Sequence, residues 1–433
     1  MTARAPFGST DGHAGDRVLD DPAFRRYFVL RTLAMAGGVL SLVAFPVLVY
    51  QLTGRASLTA LMAVAESLPY LIVGMPAGAL VDRWHRRRVM VLTGLVSGAS
   101  MLTIPAAVLL GSLTFPHVLA VGTAVATLWV FADAAAFGVL PQMVGRGRVA
   151  SATSALVTCS TVIGLGGPVV TGVLVSATSP ALAIGIDGLV HLAVAAGMTR
   201  LRWPGSEQSG GTTEGSRLRS EMAEGLRYIW DHPVVRWLTV LGAGASLAGG
   251  AVTGLLVVIG VEQLGLADDD PGLGWLYAAA AVGTLVASVS LPRVQQRFGV
   301  GLITTTGYAA MLVTLLLLSL TTSIGPGLVV LAVFDLAFTM VAVNGIVTRQ
   351  VVTPDHLQSR VNTTARLIAW GGNPLGAGLA GVLTDVWGTP WALRVAAGGL
   401  LVSLGTALLV GVPRYPRLSE LTGDPDDLGK GVG

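Results

Sequence analysis

Gly78-Ala-Leu-Val-Asp-Arg-Trp-His-Arg-Arg-Arg88 ends a long apolar run with an acid, Asp82, and a cluster of arginines. The arginines suit a chain leaving hydrocarbon for a basic-rich aqueous face. Asp82 does not, because an acid adds nothing to an arginine anchor. Outward from this point the same alternation recurs in both directions. Apolar runs of about 20 residues, the length that crosses hydrocarbon, lie near 28–51, 58–81, 89–111, 118–140, 150–176, 181–198, 237–261, 272–291, 300–320, 326–346, 361–386 and 392–412. Isolated apolar runs without strand alternation can satisfy their own backbones only as helices. The expected fold is an all-α integral membrane protein with twelve transmembrane helices in two pseudo-symmetric six-helix bundles.

Composition agrees. Of 433 residues, 52% are hydrophobic and 12% charged, about half the charged fraction of a soluble domain. The single cysteine, Cys159, leaves no disulfide framework or multi-cysteine metal site. A net charge of +3, with Lys430 the one lysine among 27 basic residues, is too small to imply nucleic acid. The basic residues instead mark sidedness. Arg83, Arg86, Arg87 and Arg88 follow the second span, Arg146 and Arg148 the fourth, Arg293 and Arg297 the eighth. Arg349, Arg360 and Arg366 surround the connection after the tenth, whereas Glu262, Asp268, Asp269 and Asp270 make the loop after the seventh acidic. The positive-inside rule then places both termini and the even-numbered loops in the cytoplasm, and the arginine-over-lysine bias with the richness in Ala, Gly and Val points to a GC-rich bacterial genome and hence a bacterial plasma membrane. The polar first 25 residues contain no signal-peptide pattern.

The organisation expected is a tail over 1–27, one bundle over 28–200, a linker over 201–236, a second bundle over 237–412 and a tail over 413–433. Within the linker, Ser206–Ser216 is rich in Gly, Ser and Thr and reads as flexible. Beyond it Leu218, Met222, Leu226, Ile229 and Trp230 share a helical face opposite Glu221, Glu224 and Arg227. This is an amphipathic helix for the inner membrane surface or the bundle. Pro168 with Gly172 and Pro374 with Gly378 recur at an offset near half the chain, as do Arg83 and Arg293, which supports two homologous halves.

The stretch around Asp82 resembles the signature between spans two and three of the major facilitator superfamily, Gly-x-Leu-x-Asp-Arg-x-Gly-Arg-Arg/Lys. Gly78, Leu80, Asp82, Arg83, Arg86 and Arg87 match, and His85 stands where glycine is usual. Ala23-Phe-Arg-Arg-Tyr, Leu140-Pro-Gln-Met-Val and Glu224-Gly-Leu-Arg-Tyr-Ile-Trp-Asp-His-Pro233 are similar to the bacterial branch containing the enterobactin exporter and macrolide efflux proteins. The resemblance implies a secondary transporter in which spans four and ten line the cavity, span two flanks it and span six supports it from outside. It also implies that Asp82 closes the cytoplasmic side against the start of span eleven, Ser359–Asn362. Gly164, Gly167, Pro168 and Gly172 in span five partly resemble an antiporter signature, with Thr171 at one glycine position. The arginine that many drug–proton antiporters carry in span four is missing.

Ionisable groups at membrane depth are expensive and hence functional candidates. Glu66 in span two, Asp133 in span four and Asp335 in span ten are the expected proton-exchanging carboxylates, each unpaired, so that protonation relieves the cost of the charge. Asp187 and His191, four apart in span six, read as a structural pair. Tyr50, Tyr70 and Trp387 read as interface anchors, and Trp129 and Trp370 as packing. No phosphate-binding loop, metal-ligand cluster or nucleophile–base set appears, so neither a cofactor, a metal nor an enzyme activity is expected. Cavity spans poor in fixed charge favour a small amphiphilic organic substrate, whereas anions would call for cavity arginines. The expected partners are the lipid bilayer, that substrate and protons, with the protein a monomer. Export is favoured because the resembled branch exports. The rivals are uptake of a small nutrient and a non-transporting membrane sensor.

Overall fold

In the computed structural model, residues 18–201, 215–354 and 357–421 are described, and within them the side chains of Asp82, Ser359 and Trp370, among others, lie outside the description. The first half folds as α1 (Pro22–Thr53), α2 (Ala56–Arg83), α3 (Arg86–Leu109), α4 (Phe115–Val144), α5 (Val149–Ala177) and α6 (Pro180–Arg200). A short connecting helix, α7 (Gly215–Asp231), leads to α8 (Pro233–Val258), α9 (Gly272–Arg297), α10 (Val300–Leu318), α11 (Ile324–Val352), α12 (Gln358–Trp387) and α13 (Thr389–Leu409). Among the described residues, eleven helices are long and apolar enough to cross a membrane. The twelfth, α12, is 30 residues long but diluted by Arg360, Asn362, Arg366 and Asn373, and it packs along α8 and α2. The count of twelve expected from the sequence holds.

Local chemistry sets the helix boundaries. Asp21 caps α1 by accepting from Ala23 N at 2.8 Å and Phe24 N at 3.3 Å, with Pro22 at the first helical position. Gly54, at φ 60°, ends α1 in the left-handed conformation that a β-carbon disfavours. α1 therefore begins earlier than its apolar run, and Arg31 is a buried residue inside it.

Small residues let the helices touch backbone to backbone, the packing that lipid favours over large side chains. A β-carbon at Gly98 of α3 would stand 2.6 Å from Gly188 O of α6. One at Gly172 of α5 would stand 2.6 Å from Pro271 O and 3.0 Å from Gly274 Cα, across to the second bundle. The glycines of span five thus split in function: Gly172 meets α9, Gly167 faces Val39 of α1, and Gly164 faces open space. Each bundle also buries a polar knot. Asp187, fully buried, accepts from Ser41 Oγ at 2.5 Å and lies 3.0 Å from His191 Nδ1. Asn344, equally buried, donates to Val300 O at 3.0 Å and accepts from Gln295 Nε2 at 3.0 Å.

α7 is helical as its periodicity requires, but its buried face differs from the expected one. Gly225 and Ile229 pack on the start of α12, while Leu226 and Trp230 are 46% and 55% exposed. Contacts outweigh hydropathy here. Tyr228 donates to Val352 O at 2.9 Å, Glu224 pairs with Arg360, and the bare Gly225 lets the helix lie against the Arg360 backbone. Leu218, Met222 and Glu221 of that reading, and all of Ser206–Ser216, lie outside the described side chains.

Candidate transport site

α1 starts and α13 ends at the same end of the molecule, the terminal end. At the opposite, far end the two bundles are tied. Tyr50 of α1 donates to Glu262 at 3.2 Å, and Gln51 donates to Asp268 O at 3.1 Å. A π-helical segment, Ile259–Gln263, extends α8, and from it Glu262 also accepts from Thr389 Oγ1 at 2.8 Å. Asp385 of α12 accepts from Ser57 N at 3.1 Å and from Ser57 Oγ, which places its charge at the start of α2. The Gly172–Gly274 crossing lies at this end too.

Inward from this seal, a cavity of about 570 Å³ opens between α2 of the first bundle and α8, α11 and α12 of the second. That volume suits a drug-sized molecule. Leu71, Leu238, Phe338, Val341 and Ile346 make its walls apolar, and Ser67, Tyr70, Thr339 and Asn373 supply scattered hydrogen-bonding groups. Arg349 lines it as well. Tyr70 and Leu71 also border a smaller recess of about 100 Å³, shared with Asp133, Thr363 and Arg366. The Arg366 guanidinium lies 5.5 Å from the Tyr70 ring centre, so Tyr70 serves the cavity rather than the membrane interface.

The expected carboxylates fare differently. Asp133 borders the recess but is not unpaired: Arg31 of α1 binds its Oδ1 at 2.6 Å while lying 5.1 Å from the Trp129 ring centre. Glu66, one turn before Tyr70 on α2, is half-buried and makes no hydrogen bond or ion pair among the described residues. Its neighbour from the other bundle is Tyr277 of α9, within electrostatic reach. Asp335, half-buried one turn before Phe338, likewise has no such partner. Of the three acids Asp133 alone borders the recess, and none of them lines the larger cavity.

The signature near Asp82 is anchored within its own bundle. Arg86 donates to Gly138 O of α4 at 2.8 Å, and Arg87 donates to Thr199 O of α6. Gly78 faces open space and Leu80 and Arg83 are exposed. The Asp82 side chain and its expected partner Ser359 lie outside the described side chains.

Sequence reasoning missed the cavity cations. In the sequence Arg349 and Arg366 mark sidedness and Arg31 gives no separate signal, and the spans look poor in fixed charge. Helical register holds the signal: Phe338, Ala342, Gly345 and Arg349 recur every three to four residues along α11, so Arg349 shares the face that Phe338 presents to the cavity.

Two six-helix bundles sealed at one end around a shared cavity define a secondary-transporter fold of the major facilitator type, a multi-pass membrane protein. The profile of the transmembrane secretion effector family matches residues 18–423. The chain belongs to that family, a branch of the major facilitator superfamily, as its signature implies. It is 28% identical over 434 aligned positions to the multidrug efflux pump Tap of Mycobacterium tuberculosis (strain ATCC 25618 / H37Rv), covering 95% of this chain and 98% of that one. It is 27% identical over 399 residues to the Tap pump of Mycolicibacterium fortuitum, covering 90% and 94%. A bacterial homologue of the human lysosomal transporter Spinster, solved inward-facing and unoccupied, superposes with a TM-score of 0.75 at 14% identity, covering 94% of this chain and 99% of that one. That likeness is one of fold.

Proposed function

We propose that this transporter exports small amphiphilic organic compounds across a bacterial plasma membrane by alternating access, driven by protons moving inward. The observation that carries the reading is the cavity between the bundles: apolar-walled, drug-sized and sealed at the far end. Efflux relatives of nearly equal length support the direction. With the termini cytoplasmic, the present arrangement faces inward. Substrate enters from the cytoplasm or inner leaflet, the bundles rock, and the far end opens.

Proton exchange falls to Glu66, Asp133 and Asp335. Glu66 and Asp335 make no hydrogen bond or ion pair among the described residues and lie at membrane depth, where a charge is costly and a proton removes the cost. Asp133 differs, because protonating it releases Arg31. Its charge state therefore decides whether α1 and α4 are clamped beside the recess. Asp82 closes the cytoplasmic side in the opposite state, facing the start of α12, while Arg83, Arg86 and Arg87 hold the α2–α3 turn to its own bundle.

The test is dye efflux in inverted vesicles. Transport is expected to require a proton gradient and to collapse with a protonophore. Glu66→Gln and Asp133→Asn are expected to uncouple efflux from ΔpH more than they weaken dye binding. Full protonophore-sensitive efflux in both single variants and in the double variant would make these two carboxylates structural. The absence of gradient-dependent dye movement in wild-type vesicles would end the export reading.

A further inference from the structure

The cavity holds a cation that the proton-exchange reading does not use. Arg349 is 4% exposed, and its Nε has no hydrogen-bond partner. Among the described residues its guanidinium makes no hydrogen bond and no ion pair. No carboxylate lines the cavity with it. A buried, uncompensated charge is strongly unfavourable, and structures retain one where a partner arrives.

The ordinary alternatives do not account for it. Arg349 stands in the last turn of α11, where a cation gains from the helix dipole. A side chain placed for that purpose would reach the terminal carbonyls or turn outward to water, and this one does neither. It runs back along its own helix over Gly345, with Nη1 3.6 Å from where a β-carbon at that glycine would stand. The bare Gly345 leaves room for the guanidinium, and the planar head is delivered to the cavity wall.

We infer that the cavity is an anion-accepting site, with Arg349 binding a carboxylate, sulfonate or phosphate group of an amphiphile whose apolar body lies against Leu71, Phe338, Val341 and Ile346. The inference rests on the export reading and narrows its substrate class. Guanidinium suits the role because its fork of donors matches the paired oxygens of such groups. Asn373 and Thr339 border the same cavity and can serve the anion's remaining lone pairs or a polar group nearby. Glu66 and Asp335 stay off this wall, so the protons and the anion occupy different surfaces.

The same headgroup chemistry occurs in free amphiphiles and in anionic lipids, and one experiment separates them. Binding of two fluorescent dyes is measured at equilibrium on the full-length protein in phosphatidylcholine nanodiscs, with empty discs subtracted. Anilinonaphthalene sulfonate and phenylnaphthylamine share a skeleton, and only the first carries the anion. The wild type is expected to prefer the sulfonate. Arg349→Gln should lower the ratio of sulfonate to amine affinity about 10- to 100-fold, the loss of a charge-assisted hydrogen bond. Arg349→Lys should keep most of the preference, which also guards against a folding defect in the glutamine variant. Phosphatidylglycerol added to the discs leaves the wild-type ratio intact if free amphiphiles are the ligand. It suppresses sulfonate binding if lipid headgroups are. A wild type that does not prefer the sulfonate, or an equal ratio in wild type and Arg349→Gln, overturns the inference. No gradient is present, so a flat ratio sinks the anion site alone, whereas lost vesicle efflux with the ratio intact sinks the export reading alone.

Discussion

Asp385 stands in the last turn of α12, and its carboxylate crosses to the other bundle. It accepts from Ser57 N at 3.1 Å, from Ser57 Oγ, and from Arg55 Nη2 at 3.4 Å. The Ser57 donors belong to the first turn of α2, so a negative charge faces the positive end of that helix. The Asp385 side chain is 21% exposed and that of Arg55 63%, so the ion pair adds little and the helix-end contacts dominate. A charge so placed is worth roughly 0.3–1 kcal/mol at the surface and up to about 2 when partly buried. Asp385→Asn keeps the size and one acceptor but removes the charge. At 1.4 kcal/mol per tenfold, a loss of about 1–2 kcal/mol shifts the balance away from the sealed far end roughly 5- to 30-fold. Spin labels on cysteines at Thr178 and Thr322, in a Cys159→Ser background, span that end from opposite bundles. The parent is expected to give one short distance in nanodiscs and the variant a second, longer one. An unchanged distance distribution, with an unchanged transport rate, would refute the assignment of Asp385 as the far-end tie.

Three further outcomes are expected. Asp82→Asn should insert and fold but transport poorly, since a charge–dipole contact of about 0.3–2 kcal/mol biases the two states; normal kinetics at equal protein level in proteoliposomes would remove its gating role. Burial holds the His232 imidazole below its ordinary value of 6.5, and its Nδ1 caps α8 by accepting from Val235 N at 3.5 Å. The unfolded chain therefore takes up the proton first as pH falls through that value, so the α7–α8 corner is intact above it and weakens below it. His232→Asn keeps an acceptor and should flatten the acid-dependent rise in hydrogen exchange over α7; an acid response equal to wild type counts against the cap. Gly225→Val should free α7, because a β-carbon there would stand 2.8 Å from Arg360 O. Limited proteolysis between the bundles should then speed up while the helix content stays the same, and an unaltered cleavage rate would show that the docking tolerates the side chain.

What could be read from the sequence divides along physical lines. Span count, length and order follow from hydropathy, because hydrocarbon leaves the backbone no alternative to helix. α12 was legible although Arg360, Arg366 and Asn373 dilute it, since its apolar residues still fill one run. Side-chain destinations were less legible. Arg31 and Arg349 lie near span ends, where arginine serves sidedness as readily as chemistry, and only helix extension and packing reveal that both are interior. Asp133 stands out in the sequence as an acid within an apolar run, but its pairing depends on Arg31 of α1, which lies 102 residues away and is joined to it by no local pattern. α7 showed its period and hid its contact face, because Gly225, the residue that docks it, has no hydropathy to contribute.

The helices α2 and α12 pack against each other across the bundle boundary, and each carries an aspartate in its last turn. Asp385 faces the start of α2 in the present arrangement, and Asp82 is proposed to face the start of α12 in the opposite one. Each carboxylate then stabilises the state the other does not, by amounts of the same size, and the difference between the two states stays small enough for a substrate or a proton to tip. The consequence is testable through additivity. Asp385→Asn should populate the far-end-open distance between labels at Thr178 and Thr322, and Asp82→Asn should deplete it. The double variant should return to within about a factor of three of the parent ratio, since independent sites add to within ~0.5 kcal/mol. Its exchange between states should be faster than in the parent, because both ties that must break have been loosened. A double variant that matches either single variant would show that only one of the two aspartates governs the switch.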